Sequence, residues 1–554
     1  MPHINNEKNF CMYCKGEIKN GHELYHIECN KEIEEYLRTH IISDEDNLRK
    51  FIADYEEERV FDETVVTLSE SNQVIKLDFS YHDLYTYQIP ESLGFLSNLV
   101  ELDFSFNEHF TRLPESIKDL KKLKKLNLLR CDIHDVSEIL ELKNLEFLNL
   151  GFNRHRILPD TIGTLDKLTF LGTSHNRLTY IPDTIGQLTN LNELHISRNQ
   201  LQTLPDSFKN LQNLKILNVS NSFEKTPAII GELRNLEELV LGGRLVTEIP
   251  DIFHSLTRLK ELFIVHSNIK SFPESILELP ILEKLDILNN KLTQIPQTIN
   301  SLKKLRELRI INNKLQKIPY SIIELQYLEK LTLESNEIAV LPDEIGNLKN
   351  LKILNIKSNK LTVLPNSIGG LTKLEDLNIS NNNLVEIPEE IGKLENLKTL
   401  NISNNNIKDI PKEIGNLGSI KSINIVNNQV EKLPKEIGNL HNLIELKVFN
   451  NNLSTIPRTI GQLQNLKILF APKNQLQSLP EEIGNLEKLR YLSLNENNLQ
   501  YLPKSLSKLK LNILNLLNNY GLPKEAQIIF SSSQQYMEKE RLVELVELTE
   551  NPEI

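Results

Sequence analysis

Four residues near the start of the chain have the types and spacing of a metal site. A Cys-x-x-Cys pair is followed by a His-x-x-Cys pair, formed by Cys11, Cys14, His26 and Cys29. Thiolate sulfur and imidazole nitrogen are the usual ligands of tetrahedral zinc. Three of the chain's four cysteines lie within these 19 residues. The pattern predicts a structural zinc ion, because four protein ligands leave no open position for the water that a catalytic zinc activates.

The residues between and after the two pairs predict the elements that position these ligands. Asn20-Gly21 lies between two short runs, and this dipeptide favours a type I′ hairpin turn because both central residues take positive φ. The charged stretch at residues 30–40 follows Cys29 directly and predicts a helix. The arrangement resembles one half of a LIM domain or a treble-clef finger, and this resemblance implies that the two pairs together bind the zinc.

Two alternatives remain for this segment. His22 competes with His26 as the histidine ligand, although only His26 forms an x₂ pair with Cys29. In the second alternative, no metal binds and the cysteines are free thiols that occur by chance near a disordered terminus. Because residues 1–41 are too few to bury a core of their own, we expect metal binding and folding to be one event.

The rest of the chain is an array of one repeated unit. From Pro227 to Pro503 a proline recurs every 23 residues, and the period extends upstream to Pro90 with slips of one residue, which gives 19 copies. A period of this size predicts a solenoid, in which each copy buries its apolar face against the next.

One copy, residues 351–373, shows the pattern in full. Its recurring positions are Leu351, Leu354, Ile356, Asn359, Leu361, Leu364, Pro365, Ile368 and Leu371. The pattern resembles the leucine-rich repeat. The resemblance implies an α/β solenoid with a curved parallel sheet on the concave face and helical or 3₁₀ returns on the convex face. It also implies that the Asn side chain bonds to backbone groups of adjacent coils.

The Asn position has exceptions, which predict a local irregularity. It is occupied instead by His82, Cys131, Ser222, Arg244 and Ser267. Cys131 is interpreted as a structural substitute, since the family accepts Cys in this position. The three consecutive copies from Ser222 to Ser267 lack the Asn, and the joint before Pro227 is one residue short. We expect lower local stability there, either as a functional notch or as tolerated drift.

The chain divides into four predicted segments: a zinc module at 1–41, a helical N-terminal cap at 42–73, about 19 to 20 coils at 74–520, and a helical C-terminal cap at 521–554. The caps are predicted from two apolar stripes, Leu48, Phe51, Ile52 and Tyr55, then Leu542, Leu545, Val546 and Leu548. The open ends of a solenoid expose core side chains and strand edges, so capping is expected, with partner binding as the alternative.

Candidate binding residues lie on the strand face, which consists of the side chains that alternate with the core leucines of each strand. Most are Ser, Asn or Lys, which is typical of a solvated surface. Two clusters are apolar with charged neighbours, as in the core of a protein interface. The central patch contains Val240, Phe263, Val265, His266, Leu288, Arg309 and Ile311, and the distal patch contains Val426, Lys447, Phe449, Phe470, Pro472 and Tyr491. A weaker cluster contains Phe106, Phe147, Phe152 and Phe170. Repeat drift that exposes apolar residues by chance is the alternative for each.

Composition limits the classes of partner and the cellular compartment that we expect for the protein. The net charge is −12, and the sequence has no basic stripe of the kind that nucleic-acid binding requires. There is no apolar run of 18 residues and no signal-peptide pattern, so we expect neither a membrane span nor secretion. Cysteine is scarce and no disulfide-rich cap is visible, which favours the reducing cytosol.

The sequence predicts a protein without catalytic activity, because it contains no GxxxxGK[ST], GxSxG or HExxH motif. The repeats are similar to those of intracellular Ras-scaffold and plant Ras-group leucine-rich repeat proteins. This resemblance implies a monomeric cytoplasmic signalling scaffold that binds a protein partner, such as a small GTPase, on its concave face. The alternative is a ubiquitin-pathway adaptor or ligase that acts through the zinc finger and uses the array as a substrate receptor.

Overall fold

The structure, a computed structural model, describes residues 66–70, 73–82, 84, 89–221, 223–527, 529–531 and 539–550. The predicted zinc ligands Cys11, Cys14, His26 and Cys29 lie outside the described residues, as do Ser222 and the apolar stripe of the predicted N-terminal cap. The chain forms two compact units, of which the first ends at Leu262 and the second begins at Phe263.

Short strands recur once per repeat in the described part of both units. The first unit contains β1 (Val66–Leu68), β2 (Val74–Asp78), β3 (Glu101–Asp103), β4 (Lys125–Asn127), β5 (Phe147–Asn149), β6 (Phe170–Gly172), β7 (Glu193–His195), β8 (Ile216–Asn218) and β9 (Glu238–Gly242). The division falls within β10 (Glu261–Val265). The second unit contains β11 (Lys284–Leu288), β12 (Glu307–Ile311), β13 (Lys330–Thr332), β14 (Ile353–Asn355), β15 (Asp376–Asn378), β16 (Thr399–Asn401), β17 (Ser422–Asn424), β18 (Glu445–Lys447), β19 (Ile468–Phe470), β20 (Tyr491–Ser493), β21 (Ile513–Asn515) and β22 (Ile529–Ser531).

The returns between strands contain 3₁₀ helices of three or five residues. They are Glu91–Phe95, Glu115–Asp119, Ser137–Glu141, Asp160–Thr164, Asp183–Gln187, Asp206–Asn210, Ala228–Glu232, Phe253–Ser255, Glu274–Glu278, Gln297–Ser301, Tyr320–Glu324, Ile345–Asn347, Asn366–Gly370, Glu389–Lys393, Lys412–Asn416, Lys435–Asn439, Arg458–Gln462, Glu481–Asn485, Lys504–Lys508 and Lys524–Ala526. The recurring proline fixes extended backbone just before the 3₁₀ helix, as Pro365 does with φ −69° and ψ 146°.

Neighbouring strands pair in register, so that equivalent core leucines face one another. In the first unit β2 to β9 are parallel, and Leu148 lies opposite Leu171. In the second unit β11 to β21 are parallel, and Leu354 lies opposite Leu377. At the ends, β1 pairs antiparallel with β2, and β22 pairs antiparallel with β21. The parallel repeat register confirms the solenoid predicted from the 23-residue period.

The repeated Asn is buried and joins adjacent coils. Asn359 Nδ2 donates to the carbonyl oxygens of Leu333 (2.8 Å) and Ile356 (3.2 Å), and its Oδ1 accepts from the backbone N–H of Ile338 (2.9 Å). The residue before it, Ser358, has φ 56°, which turns the chain at the end of the strand. The same bonds recur along the array, so each Asn satisfies backbone groups that would otherwise be buried without partners.

The series of buried Asn side chains that join adjacent coils forms a ladder, and the predicted failure at Ser222 is partly compensated by the residue before it. Asn221 is buried, and its Nδ2 donates to the carbonyl oxygen of Ile196 (2.8 Å), as a ladder Asn does. Its Oδ1 accepts instead from the Asn199 N–H (2.8 Å). The shorter coil moves the amide by one residue. In the next coil Gly243 takes φ 153°, and a Cβ at this position would collide with the Asn221 carbonyl oxygen.

Cys131 occupies the ladder position of its coil. It is fully buried, and its Sγ donates to the carbonyl oxygen of Phe104 at 2.9 Å. Burial raises the pKa of the thiol to about 12, so the group stays protonated and keeps its donor at neutral pH. Ser267 fills the same position in its own coil, where its Oγ donates to the Val265 carbonyl oxygen (3.2 Å).

The chain's described part ends in α1 (Lys539–Glu550). Leu542, Leu545 and Val546 of this helix are buried, and α1 packs against the 3₁₀ helices Lys504–Lys508 and Lys524–Ala526. No helix among the described residues is both long enough and apolar enough to cross a membrane.

Candidate binding site on the strand face

Five of the six distal-patch residues line one open hollow in the second unit. Its volume is about 190 Å³, and its lining consists of Val426, Lys447, Phe449, Phe470, Pro472 and Ser493. Ser493 was not predicted. Tyr491, which was predicted, lies two residues before Ser493 on β20, opposite Ile468 of β19, and does not line the hollow.

The strand register explains how these side chains come together. Lys447 lies opposite Phe470, and Phe470 lies opposite Ser493, so one column of the strand face supplies three adjacent wall residues. Val426, Phe449 and Pro472 each follow their strand by two residues and supply the second wall. Because adjacent parallel strands lie about 4.8 Å apart, the repeat places residues 23 apart within contact distance.

The cations beside the hollow are already paired. Lys447 Nζ lies 2.7 Å from Glu445 Oε1. Lys473 Nζ lies 5.6 Å from the centroid of the Phe449 ring and 3.7 Å from Glu496 Oε2. The aromatic rings therefore form an apolar surface that is bordered by neutralised charges. This combination suits an uncharged side chain better than an ionic ligand.

The central-patch residues fall in different units. Val240 lies in the first unit, whereas Phe263, Val265, His266, Leu288, Arg309 and Ile311 lie in the second. Leu288 is opposite Ile311 in the register of β11 and β12. Lys284 Nζ lies 4.7 Å from the centroid of the Phe263 ring. A ring nitrogen of His266 lies 3.0 Å from Asn289 Nδ2. In the second unit the patch is therefore an apolar row with polar neighbours.

A buried carboxylate on this row was not predicted. Asp286 is only 5% exposed, and its Oδ2 lies 3.1 Å from Arg309 Nη1. Burial raises the pKa of Asp286, although the Arg309 charge opposes that shift. Asp286 Oδ1 has no hydrogen-bond partner among the residues that the structure describes. The sequence signal was the register, which places Asp286 directly opposite Arg309.

The weaker phenylalanine cluster separates into stacked pairs in the first unit. Phe147 and Phe170 stack at 4.2 Å between ring centroids. Phe152 instead stacks on His175 at 3.7 Å, and Phe106 stacks on Tyr81 at 4.2 Å. Stacking on neighbours in the same column occupies the ring faces within the chain, so these residues do not form one continuous patch.

The described residues do not include the predicted zinc site. Its four ligands are not among the described residues, and the described residues contain no group of three or more His, Cys, Asp or Glu side chains arranged to hold a metal ion.

Comparisons with known proteins agree with the repeat architecture. The family model described as leucine-rich repeat region matches residues 153–268 and 374–469, and the model described as leucine rich repeat matches 257–315, 280–338 and 326–384. A solved leucine-rich repeat protein of Leptospira interrogans is 32% identical, with a TM-score of 0.51, and the match covers 79% of this chain and 95% of that chain. The chain belongs to the leucine-rich repeat family.

Two other solved structures match at lower sequence identity. The plant peptide hormone receptor RGFR1, solved in complex with RGF2, is 27% identical with a TM-score of 0.54, and the match covers 82% of this chain and 83% of that chain. A TDR receptor is 26% identical with a TM-score of 0.56, and the match covers 75% and 71% of the two chains. The search of curated proteins finds no match. Leucine-rich repeat proteins generally act as protein-interaction scaffolds or receptors.

Proposed function

We propose that this protein is a non-catalytic scaffold that binds a protein partner on the strand face of its second unit. The observation that carries the proposal is the hollow at Phe449 and Phe470, where side chains of successive coils form one apolar recess. Its setting is proposed to be the cytoplasm and its state a monomer, with a small GTPase or another signalling protein as the class of partner.

The volume of the hollow indicates the size of the side chain that fits it. A cavity of about 150 Å³ holds benzene in another protein. The hollow, at about 190 Å³, therefore accommodates one aromatic or large aliphatic side chain. Burial of such a side chain on the two rings contributes affinity, and the paired cations beside them require no countercharge from the partner. The binding mode is one apolar anchor with a polar surround.

The second-unit part of the central patch supplies a second contact region on the same face. Leu288 and Ile311 offer an apolar surface next to the ion pair of Asp286 and Arg309. A desolvated ion pair adds to specificity, because a partner group that displaces Arg309 leaves a buried carboxylate without its countercharge. We therefore expect the hollow to provide affinity and the ion pair to discriminate among partners.

Truncation of the hollow should weaken partner binding. Phe449→Ala and Phe470→Ala should each cost about 2 kcal/mol of binding free energy, or roughly 30-fold in Kd, because each removes an aromatic wall. The measurement is the affinity for a partner recovered from the native cell with the full chain. Tyr327→Ala and Tyr501→Ala are the controls, since both tyrosines are about half exposed and lie outside the strands.

Folding must be checked for all four variants by circular dichroism. If folded Phe449→Ala and Phe470→Ala proteins bind every recovered partner as tightly as the tyrosine controls do, the hollow is not the binding site and this proposal is wrong.

The amino-terminal cysteines are proposed to bind one structural zinc ion. With Cys11, Cys14, His26 and Cys29 as ligands, purified protein should contain one zinc per chain, and Cys14→Ser should lose it because three ligands no longer close the site. Elemental analysis measures the metal, and circular dichroism should show the repeat array unchanged. Cys131→Ser is the control, as this cysteine is buried within the array and is not one of the predicted ligands. Retention of zinc by a Cys14→Ser, Cys29→Ser double variant would contradict the assignment.

A further inference from the structure

A row of amide donors that have no acceptor within the described residues leads to the hollow. Asn378, Asn401 and Asn424 are the last residues of β15, β16 and β17, and they lie opposite one another in the parallel register. All three are half-buried. The row ends beside Lys447, which lines the hollow and lies opposite Asn424.

Each amide has a fixed orientation. The Oδ1 atoms accept from the backbone N–H two residues later, at Ser380 (3.2 Å), Ser403 (3.2 Å) and Val426 (3.1 Å). Ser380 and Ser403 also donate their hydroxyl groups to the same Oδ1 atoms. The acceptor side of the amide is therefore used within the chain, and the Nδ2 side faces away from it.

The Nδ2 groups are free to bind a ligand. Within the described residues, none of the three donates a hydrogen bond, whereas the preceding residue of the column, Asn355, donates its Nδ2 to Glu334 Oε2 (3.2 Å). Three parallel amide donors without intramolecular acceptors form a surface that is complementary to a row of carbonyl oxygens.

The spacing of the row discriminates between backbone conformations. Strands lie about 4.8 Å apart, so Asn378 and Asn424, two coils apart, are separated by about 9.6 Å. A polyproline II helix has three residues per turn and rises about 3.1 Å per residue, so equivalent carbonyl groups recur every 9.3 Å or so. An extended strand repeats about every 6.6 Å, which matches neither one coil nor two.

The carbonyl groups of a polyproline II helix are also available. This conformation has no internal hydrogen bonds, so its carbonyl oxygens accept bonds from a binding surface at little cost. Aromatic-lined grooves are the usual sites for its proline rings. The hollow supplies such a groove through Phe449 and Phe470, in the coils that follow Asn424.

We propose that the strand face binds a proline-rich partner segment in the polyproline II conformation, across β15 to β19. Carbonyl groups three residues apart accept from Asn378 and Asn424, and a proline ring beyond them lies in the hollow. This inference rests on the proposed function, because it names the occupant of the same recess. About six residues span the four coil intervals involved.

The test uses fluorescein-labelled decaproline and the full chain, with fluorescence anisotropy as the readout. Saturable binding is expected, and a glycine-serine peptide of equal length should bind at least about tenfold more weakly, because it must lose more conformational freedom. The double variant Asn378→Asp, Asn424→Asp should weaken decaproline binding about tenfold, since it removes two donors.

Asp is tolerated structurally at this position, because Asp103 occupies it in β3 and its Oδ1 accepts from Ser105 N–H at 2.8 Å. The control is Asn515→Asp, which adds one such charge on β21 beyond the other side of the hollow and should change binding less than about twofold. Equal loss in this control, equal binding of the glycine-serine peptide, or an unaffected double variant would each overturn the inference. Absence of decaproline binding together with partner binding that depends on Phe449 would overturn it and leave the proposed function intact; failure of both would overturn both.

Discussion

Replacement of Asn359 by alanine should lower the free energy of unfolding of the second unit by about 3 kcal/mol. The substitution leaves the Ile338 N–H buried without its partner and removes one of the two amide donors to the Leu333 carbonyl oxygen, which keeps the bond from Asn336 Nδ2 (3.1 Å). Each unsatisfied buried group costs roughly 1–3 kcal/mol, and the truncated side chain adds a small cavity. Chemical denaturation followed by circular dichroism measures the loss.

Two matched variants distinguish the loss of a buried hydrogen bond from the loss of an exposed one. Asn396→Ala removes an amide that also donates to the preceding coil, at the Thr372 carbonyl oxygen (2.8 Å), but Asn396 is exposed and water replaces the bond. Its cost should stay below about 1 kcal/mol. Asn359→Cys should fall between the two, since Cys131 shows that a thiol donates from this position. Equal losses for Asn359→Ala and Asn396→Ala would contradict the ladder's role.

Acidification should destabilise the first unit through His155. This residue takes the position that Leu178 holds in the next coil, is only 3% exposed, and its Nε2 has no partner among the described residues. Burial lowers the pKa of His155 to about 4, and the electrostatic interaction with His134 acts in the same direction. A hydrogen bond with the His134 backbone and the charge of Asp135 oppose the shift.

The sign of the effect follows from proton linkage. An unfolded histidine has a pKa of about 6.5, so between pH 6.5 and about 4 the unfolded chain binds the proton more readily. Stability is full at neutral pH and falls as the pH is lowered through this window, by about 2 kcal/mol between pH 7 and pH 5. His155→Leu should remove this component and raise stability at both values.

The measurement is the difference in unfolding free energy between wild type and His155→Leu, at pH 7 and at pH 5. Titration of other groups cancels in that difference. Leu178→His moves the same chemistry one coil along and should introduce a similar acid sensitivity. A difference that stays constant from pH 7 to pH 5 would contradict the assignment to His155.

Much of the fold follows from the sequence because the repeat leaves few choices. Leu354, Asn359 and Pro365 each have one geometric role, and 23-residue spacing forces equivalent residues into register. The returns were predicted only as helical or 3₁₀, and the structure makes them 3₁₀. A pattern of residue types does not show whether the backbone bonds of a single turn join residues three apart, as in a 3₁₀ helix, or four apart, as in an α-helix.

The departures have local physical causes. Asn221 was missed because the period was extrapolated rigidly, whereas the backbone of a short coil shifts the amide by one residue. The burial of His155 was not predicted, because the repeat position that it occupies is normally apolar and a histidine there does not look like a core residue. The donor row was interpreted as idle surface, since the sequence does not reveal which side of an amide is already bonded.

The candidate site could be predicted in part. The alternation of side chains along the strands was sufficient to select Phe449, Phe470 and Pro472 as neighbours. Phe449 and Pro472 are equivalent residues one coil apart, and Phe470 belongs to the adjacent column. It was not sufficient to exclude Tyr491 or include Ser493, which depend on side-chain direction. The burial of Asp286 likewise depends on how Arg309 lies across it.

The most direct test of the proposed function is amide hydrogen exchange of the full chain, with and without a saturating partner recovered from the native cell. The proposal predicts slowed exchange in β17 to β20, around Val426, Phe449 and Phe470, with little change in the 3₁₀ helices of the same coils. Protection confined to the 3₁₀ helices, to α1 or to residues 1–41, with none in β17 to β20, would contradict partner binding on the strand face.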